Sequence, residues 1–167
     1  MINKKIKNSV LILPDIRSAI NVGAIFRTAD AVGISKIYLT GWTPRPTDKF
    51  GRIQKDIAKS ALGAETFVPW EYKETLIPLI NKLKKEGYQI IAIEQDERAI
   101  DYRKVSVQGG PASGGKIAII MGPEVLGLSK KILDKCDLIA EIPMHGKKES
   151  LNVSVACGVA MFRILES

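Results

Sequence analysis

The chain has 167 residues, 46% hydrophobic and 26% charged, with 25 Lys+Arg against 18 Asp+Glu, a formal net charge of +7 and a pI near 9.4. These values fit one soluble domain that buries a core without disulfides or metals, and the basic excess points to an anionic partner, nucleic acid first. Two cysteines and one histidine exclude a disulfide framework and a transition-metal centre, and no stretch approaches the ~20 apolar residues that span a bilayer.

In chain order, the basic start MINKKIK leads into SVLIL (9–13), which reads as a strand. That apolar run is too short for a signal peptide, so the expected location is a reducing cytoplasm. NVGAIFRTADAV (21–32) reads as a helix with Val22, Ile25, Phe26, Ala29 and Val32 on one face, stopping at Gly33 as a left-handed cap. Arg27 and Asp30 fall on the other side, spaced to pair. Arg17, Asn21 and Arg27 cluster donors around the entry to this helix, a place that favours anions.

KIYLTG (36–41) is a second strand, followed by the Gly/Pro-rich loop GWTPRPTDKFG (41–51). TFVPW (66–70) reads as a strand and YKETLIPLINKLKKEG (72–87) as a helix, with Pro78 kinking it or moving its start. QIIAIE (89–94), KIAIIMG (116–122) and DLIAEIPM (137–144) are strands, and several of these runs are continuously apolar, as burial on both faces requires. SKKILDKC (129–136), with Ser129 as N-cap, and NVSVACGVAMFRILE (152–166) complete the helices. Cys136 and Cys157 lie in apolar surroundings and read as reduced core residues.

The alternation implies an α/β fold with a mostly parallel sheet and helices on both faces. Ligands of such sheets bind outside the carboxyl ends of the strands, which puts weight on TG (40–41), EQD (94–96), MGPE (121–124) and IPMHG (142–146). The loop VQGGPASGGK (107–116) has P-loop spacing, but Ile117 stands where the magnesium-binding Ser or Thr belongs, and the segment opens a strand rather than a helix. His145 and Ser150 share a loop without a G-x-S-x-G elbow, so a hydrolase is a poor fit. Alone, Ser150 and Asn152 read as caps of the last helix, and Glu124 as part of a strand-to-helix turn.

Three segments occur in order, each at the edge of a strand: NVGAIFRTADAVG, MGPEVLGLS and IPMHGKKESLNVSVACGVAMF. Together they resemble the three motifs of the SpoU (TrmH-like) family of RNA 2′-O-ribose methyltransferases in the SPOUT superfamily, and the resemblance runs from about Ser9 to the C-terminus. It implies S-adenosylmethionine held in a C-terminal trefoil knot, here about residues 117–167. It also implies a homodimer with a shared RNA site and methyl transfer to a ribose 2′-hydroxyl of tRNA or rRNA.

Carried over residue by residue, the resemblance makes Arg27 the catalytic arginine, Asn21 its companion, and Ser150 and Asn152 the polar pair beside the reacting centre. Ile93, Gly122, Ile142 and Leu151 become cofactor contacts, joined by Glu124 and Met144. Guanidinium stays protonated, so Arg27 is better suited to clamp RNA phosphate and stabilise the emerging alkoxide than to act as base. One methyltransferase domain over 1–167 without a separate RNA-binding extension is expected, so RNA falls to the domain's own cations. Arg17, Arg45, Arg52 and Lys147 are the leading candidates, with Lys4, Lys5, Lys7, Lys49, Lys55 and Lys148 beside them, and Trp42 or Phe50 available to stack on a base. Two other readings share the fold: a non-catalytic RNA-binding protein and a SPOUT methyltransferase acting on a base.

Overall fold

The structure, a computed structural model, describes residues 8–107 and 114–166. Among these, seven strands form one sheet in which every pairing is parallel. The strands are β1 (Ser9–Pro14), β2 (Lys36–Thr40), β3 (Trp70–Lys73), β4 (Gln89–Ile93), β5 (Ile100–Asp101), β6 (Ile117–Met121) and β7 (Leu138–Glu141), in the order β3-β2-β1-β6-β4-β7-β5. The helices are α1 (Ala19–Val32), α2 (Lys55–Ala61), α3 (Ala64–Phe67), α4 (Leu76–Lys85), α5 (Lys130–Leu133) and α6 (Val153–Leu165), with a 3-10 turn at Tyr102–Lys104. The expectation of a mostly parallel sheet covered on both faces is met.

The continuous apolar runs follow from that double cover. Successive strand residues point to opposite faces. Leu11, Leu13, Ile37, Ile91 and Ile119 pack with α1, α2, α3 and α6. Val10, Ile12, Tyr38, Ile90 and Ile120 pack with α4 and α5. Each fully buried Leu, Ile or Phe contributes ~1.5–3 kcal/mol relative to exposure, so the central strands β1 and β6 carry much of the fold.

Helix α1 buries Val22, Ile25, Phe26, Ala29 and Val32, the face read from the sequence, and ends at Gly33 with φ 85° and its N–H on Ala29 O and Asp30 O. It starts earlier than the sequence reading: Ser18 is the N-cap and accepts a hydrogen bond from Asn21 N–H, placing Asn21 in the first turn. Arg27 and Asp30 do not pair. The Arg27 side chain has no hydrogen-bond or ion-pair partner among the described residues. Helix α2, absent from the sequence reading, offers only two buried apolar positions, Ile57 and Ala61, too few for a periodic signal. It crosses α1 where Gly23 lacks a side chain; a Cβ there would lie 2.5 Å from Ile57 O.

Of the segment 66–70, only Trp70 belongs to a strand. Ala64–Phe67 forms a helical turn, Val68 is extended before Pro69 as pre-proline residues prefer, and β3 begins at Trp70. Tyr72 and Lys73 therefore belong to β3, and α4 is shorter than expected. Pro78 occupies the first turn of α4, where a missing N–H costs nothing, so it moves the start and causes no break. Leu76, Leu79, Ile80 and Leu83 of α4 are buried at helical spacing. Ser129 caps α5 by position but without a side-chain hydrogen bond. The loop 107–116 falls mostly outside the described residues; its Lys116 leads directly into β6, as expected. Cys157 is fully buried and Cys136 half-buried, both free. Burial pushes both thiols up, Cys136 to about 11.

At the β2–β3 edge, Glu71 accepts from Lys36 at 2.7 Å and from Lys73. These hydrogen bonds pull its carboxyl down from 4.5 to about 2. A depressed carboxylate contributes stability above its unfolded pKa, and that contribution is lost as pH falls toward the folded value. All three side chains are about one-third exposed or more, so the contribution is at most about 1 kcal/mol. Glu71→Gln is expected to lower stability by that order in urea melts near neutral pH, with the difference shrinking between pH 4.5 and 2.

Candidate active site

The carboxyl ends of β4, β6 and β7 open into a cavity of about 790 Å³. Three short loops build it. The first follows Ile93, the last residue of β4, and carries Glu94 and Gln95; the second follows β6 through Gly122, Glu124 and Gly127; the third runs from β7 through Ile142, Met144 and Ser150 to the start of α6. The volume suits a ligand of drug-like or cofactor size. Its walls combine apolar Ile93, Met121, Ile142, Met144 and Leu151 with polar Glu94, Glu141, Ser150 and Asn152.

All six residues expected to touch a cofactor (Ile93, Gly122, Glu124, Ile142, Met144, Leu151) line this cavity, as do Ser150 and Asn152. Asn21 and Arg27 do not line it. Asn21 is joined to it by hydrogen bonds, whereas Arg27 stands exposed on α1.

The three segments singled out in the sequence meet in one chain of side chains. Asn152 caps α6: its Oδ1 accepts from Ser154 N–H at 2.9 Å and from the Ser154 hydroxyl at 2.6 Å. Asn152 Nδ2 donates to Asn21 Oδ1 at 3.2 Å, and Asn21 Nδ2 donates to Glu124 Oε1 at 2.6 Å. The other Glu124 oxygen accepts from Arg17 N–H at 3.4 Å. A carboxylate only accepts, so Glu124 fixes the orientation of both amides and the chain runs one way, from the α6 N-terminus to the β6 loop. Ser150 takes no part in capping; it is exposed at the cavity mouth with no hydrogen-bond partner among the described residues.

Glu94 is a pocket residue that sequence reasoning did not name, although EQD (94–96) was weighted. Its Oε2 accepts from Leu128 N–H at 2.8 Å and its Oε1 from Gln95 N–H at 3.1 Å. It nests against the β6 loop so closely that a Cβ at Gly122 would lie 2.1 Å from Oε2. Gly127 faces the same carboxylate at φ 63°, a conformation that favours glycine. The available signal was an acid at the carboxyl end of a buried parallel strand facing a glycine-bearing turn. Gln95 Nε2 also holds the third loop through Glu149 O at 2.6 Å.

The RNA-contact candidates divide among three places. Arg17 lies beside the network and brings its backbone N–H to Glu124. Lys147 and Lys148 are exposed on the third loop. Arg45, Lys49, Arg52 and Lys55 line a separate, larger and more open groove of about 1340 Å³ beside β2 and β3. Lys4, Lys5 and Lys7 lie outside the described residues. No group of three or more His, Cys, Asp or Glu among the described residues is arranged to hold a metal ion.

The model of the SpoU rRNA Methylase family matches residues 8–162. A protein of Staphylococcus haemolyticus named for the TrmH family of tRNA/rRNA methyltransferases is 34% identical over 157 residues, covering 94% of this chain and 58% of that protein. The crystal structure of AdoMet-bound rRNA methyltransferase from Sinorhizobium meliloti superposes with a TM-score of 0.81 at 26% identity, over 98% of this chain and 57% of that one. The A. aeolicus TrmH/SpoU tRNA modifying enzyme gives 0.81 at 26% identity, over 98% of this chain and 77% of that one. The chain thus spans under two-thirds of the length of the first two relatives.

Asn152→Ala removes both the helix cap and the middle of the network, and is expected to lower stability by about 1–2 kcal/mol in urea melts. Combined with Asn21→Ala, the loss should be smaller than the sum of the single losses, with a coupling of about 0.5 kcal/mol or more. Additive losses would show that the two side chains act independently.

Proposed function

This chain belongs to the SpoU rRNA Methylase family, and on that premise we propose that it transfers a methyl group from S-adenosylmethionine to a ribose 2′-hydroxyl of tRNA or rRNA. The observation that carries the reading is the single cavity lined by all six expected cofactor contacts and bordered by the Ser154–Asn152–Asn21–Glu124 chain. The cavity fits the cofactor in size, and the absence of a side chain at Gly122 lets the Glu94 carboxylate sit against the β6 loop at the cavity wall.

When bound, S-adenosylmethionine supplies an electrophilic methyl group on a sulfonium. The apolar walls from Ile93, Ile142, Met144 and Leu151 hold it largely through contact and backbone groups. Glu94 keeps lone pairs free for ligand hydroxyls beyond the two backbone N–H groups it already accepts. Ser150 and Asn152 present polar groups at the mouth, where the target hydroxyl is oriented; orientation of this kind contributes up to ~7–11 kcal/mol in favourable systems. Glu124, with both oxygens engaged, positions Asn21 and the β6 loop. Arg27, with the planar fork of a guanidinium, clamps phosphate and stabilises charge on the attacking oxygen.

Arg27 lies outside the cavity of its own chain, and a homodimer supplies the reason. Ile20, Ala24 and Arg27 share one face of α1 by helical spacing, and Val155, Val159 and Phe162 are exposed on α6, which packs against α1. We take this apolar stripe as the dimer face, which brings Arg27 of one copy toward the cavity of the other. A trefoil knot over about 117–167, within one methyltransferase unit, belongs to the same proposal. It is supported by the insertion of β7 between the earlier strands β4 and β5 and by Arg163 of α6 donating to Arg103 O in the 3-10 turn at 2.6 Å.

Incubation with methyl-labelled S-adenosylmethionine and unmodified total RNA, followed by digestion to nucleosides, is expected to place label in one 2′-O-methylnucleoside. Label on a base instead would reassign the nucleophile, and absence of cofactor binding would remove the enzyme reading. Arg27→Lys keeps the charge but loses the bidentate fork, and should cut kcat at least tenfold; an unchanged kcat would remove Arg27 from the chemistry. Val159→Glu should convert a dimer to monomer in sedimentation and abolish transfer, whereas a monomeric wild type would refute the dimer.

A further inference from the structure

The groove beside β2 and β3 sets exposed aromatic rings among basic side chains. Trp42 is 87% exposed and Phe50 70% exposed on the loop that follows β2, an unusual outlay of aromatic surface. Phe50 N–H donates to Asp48 Oδ1 at 2.8 Å within its turn, and Trp42 is tied to another strand end. Trp42 N–H donates to Asp15 Oδ1 at 2.9 Å, and the preceding Gly41 fits because any Cβ there would lie 2.1 Å from the same oxygen. The loop base is held by the buried Thr43, whose hydroxyl donates to Leu13 O at 2.7 Å and accepts from Ile16 N–H at 3.0 Å.

Across the groove, the Arg45 guanidinium lies over the Tyr72 ring at 3.7 Å, and the Tyr72 hydroxyl is anchored on Gly41 O at 3.0 Å. This stack lays a planar cation flat on a fixed ring. Arg45, Lys49 and Lys55 have no ion-pair partner among the described residues, while Arg52 is bound to Asp48. Lys49 and Arg52 lie over the Phe50 ring at 5.0 and 5.3 Å, so the groove offers aromatic faces with cations beside them, which match the two parts of a nucleotide.

The groove and the cavity open on the same edge of the sheet. The groove lies at the carboxyl ends of β2 and β3, and the cavity at those of β6, β4 and β7, with only β1 between β2 and β6. Two strand steps are roughly 10 Å, on the order of three nucleotides at ~3.4 Å per stacked base. A chain entering the cavity with its target ribose therefore reaches the groove with a nucleotide close to the target.

We propose that this groove binds unpaired RNA nucleotides flanking the methylation target, with bases stacked on Trp42, Phe50 and the Arg45–Tyr72 platform. This rests on the RNA methyltransferase reading and narrows it: the substrate is single-stranded around the target, as in a loop, because bases inside a duplex cannot reach these faces.

The test is anisotropy titration of the full chain with fluorescent single-stranded RNA six to eight nucleotides long and with a duplex of the same sequence. The single strand should bind more tightly. Trp42→Ala and Phe50→Ala should each weaken it about 5- to 100-fold. Arg45→Lys, which keeps the charge and loses the flat face, should weaken it while leaving the salt dependence nearly unchanged. Melting and S-adenosylmethionine affinity should stay at wild-type values in all three variants. Equal affinity for duplex, no single-strand binding, or unchanged affinity in the variants would overturn the proposal. So would a dimer that dissociates on Trp42→Ala, because the patch would then be a contact between copies. Cofactor binding and methyl transfer by the wild type, measured alongside, separate the two readings: if both persist while the titrations fail, only the groove is lost.

Discussion

The site depends on a one-way chain of hydrogen bonds. Ser154 donates to Asn152, Asn152 to Asn21, and Asn21 to Glu124, so the N-terminus of α6, the first turn of α1 and the β6 loop are tied at one place. Each link alone is ordinary: a helix cap, an amide pair, an amide on a carboxylate. Their effect lies in direction. An amide has one donor side and one acceptor side, and the carboxylate at the end allows only one assignment. The segments that supply these groups are far apart in sequence, so the chain forms only when the sheet between them has formed.

The sheet architecture was legible because physical demand and sequence pattern coincide there. A parallel strand buried on both faces needs apolar residues at every position, and runs such as 117–121 have them. The errors fell where the pattern was thin. α2 buries only Ile57 and Ala61, below any periodic signal. At 66–70 the β-branched and aromatic residues resembled a strand, but the segment packs through a helical turn, and Trp70 and Tyr72 bury part of their rings from the edge strand that follows.

The cavity lining was legible in its residues and not in its geometry. Gly122, Ile142 and Leu151 line one cavity, and nothing in their spacing says so without the sheet order that brings β4, β6 and β7 side by side. Glu94 went unnamed because its importance is spatial: its carboxylate occupies the space that Gly122 leaves and ties down Leu128 N–H. Arg27 carries the opposite lesson. Its motif suggested a place at the site, yet in this chain it stands exposed on α1 and is absent from the cavity lining, a placement that only the packing of α1 reveals.

The strand order also bears on how the chain is made. β6 pairs with both β1 and β4, yet it begins at Ile117, after both have been synthesised. Until it emerges from the ribosome, the N-terminal portion presents two apolar strands whose inner edges have no neighbour. Such edges invite pairing with other chains. Nascent molecules translated close together on one message therefore share a vulnerable interval, and it closes only when the last third of the polypeptide arrives to fill the gap.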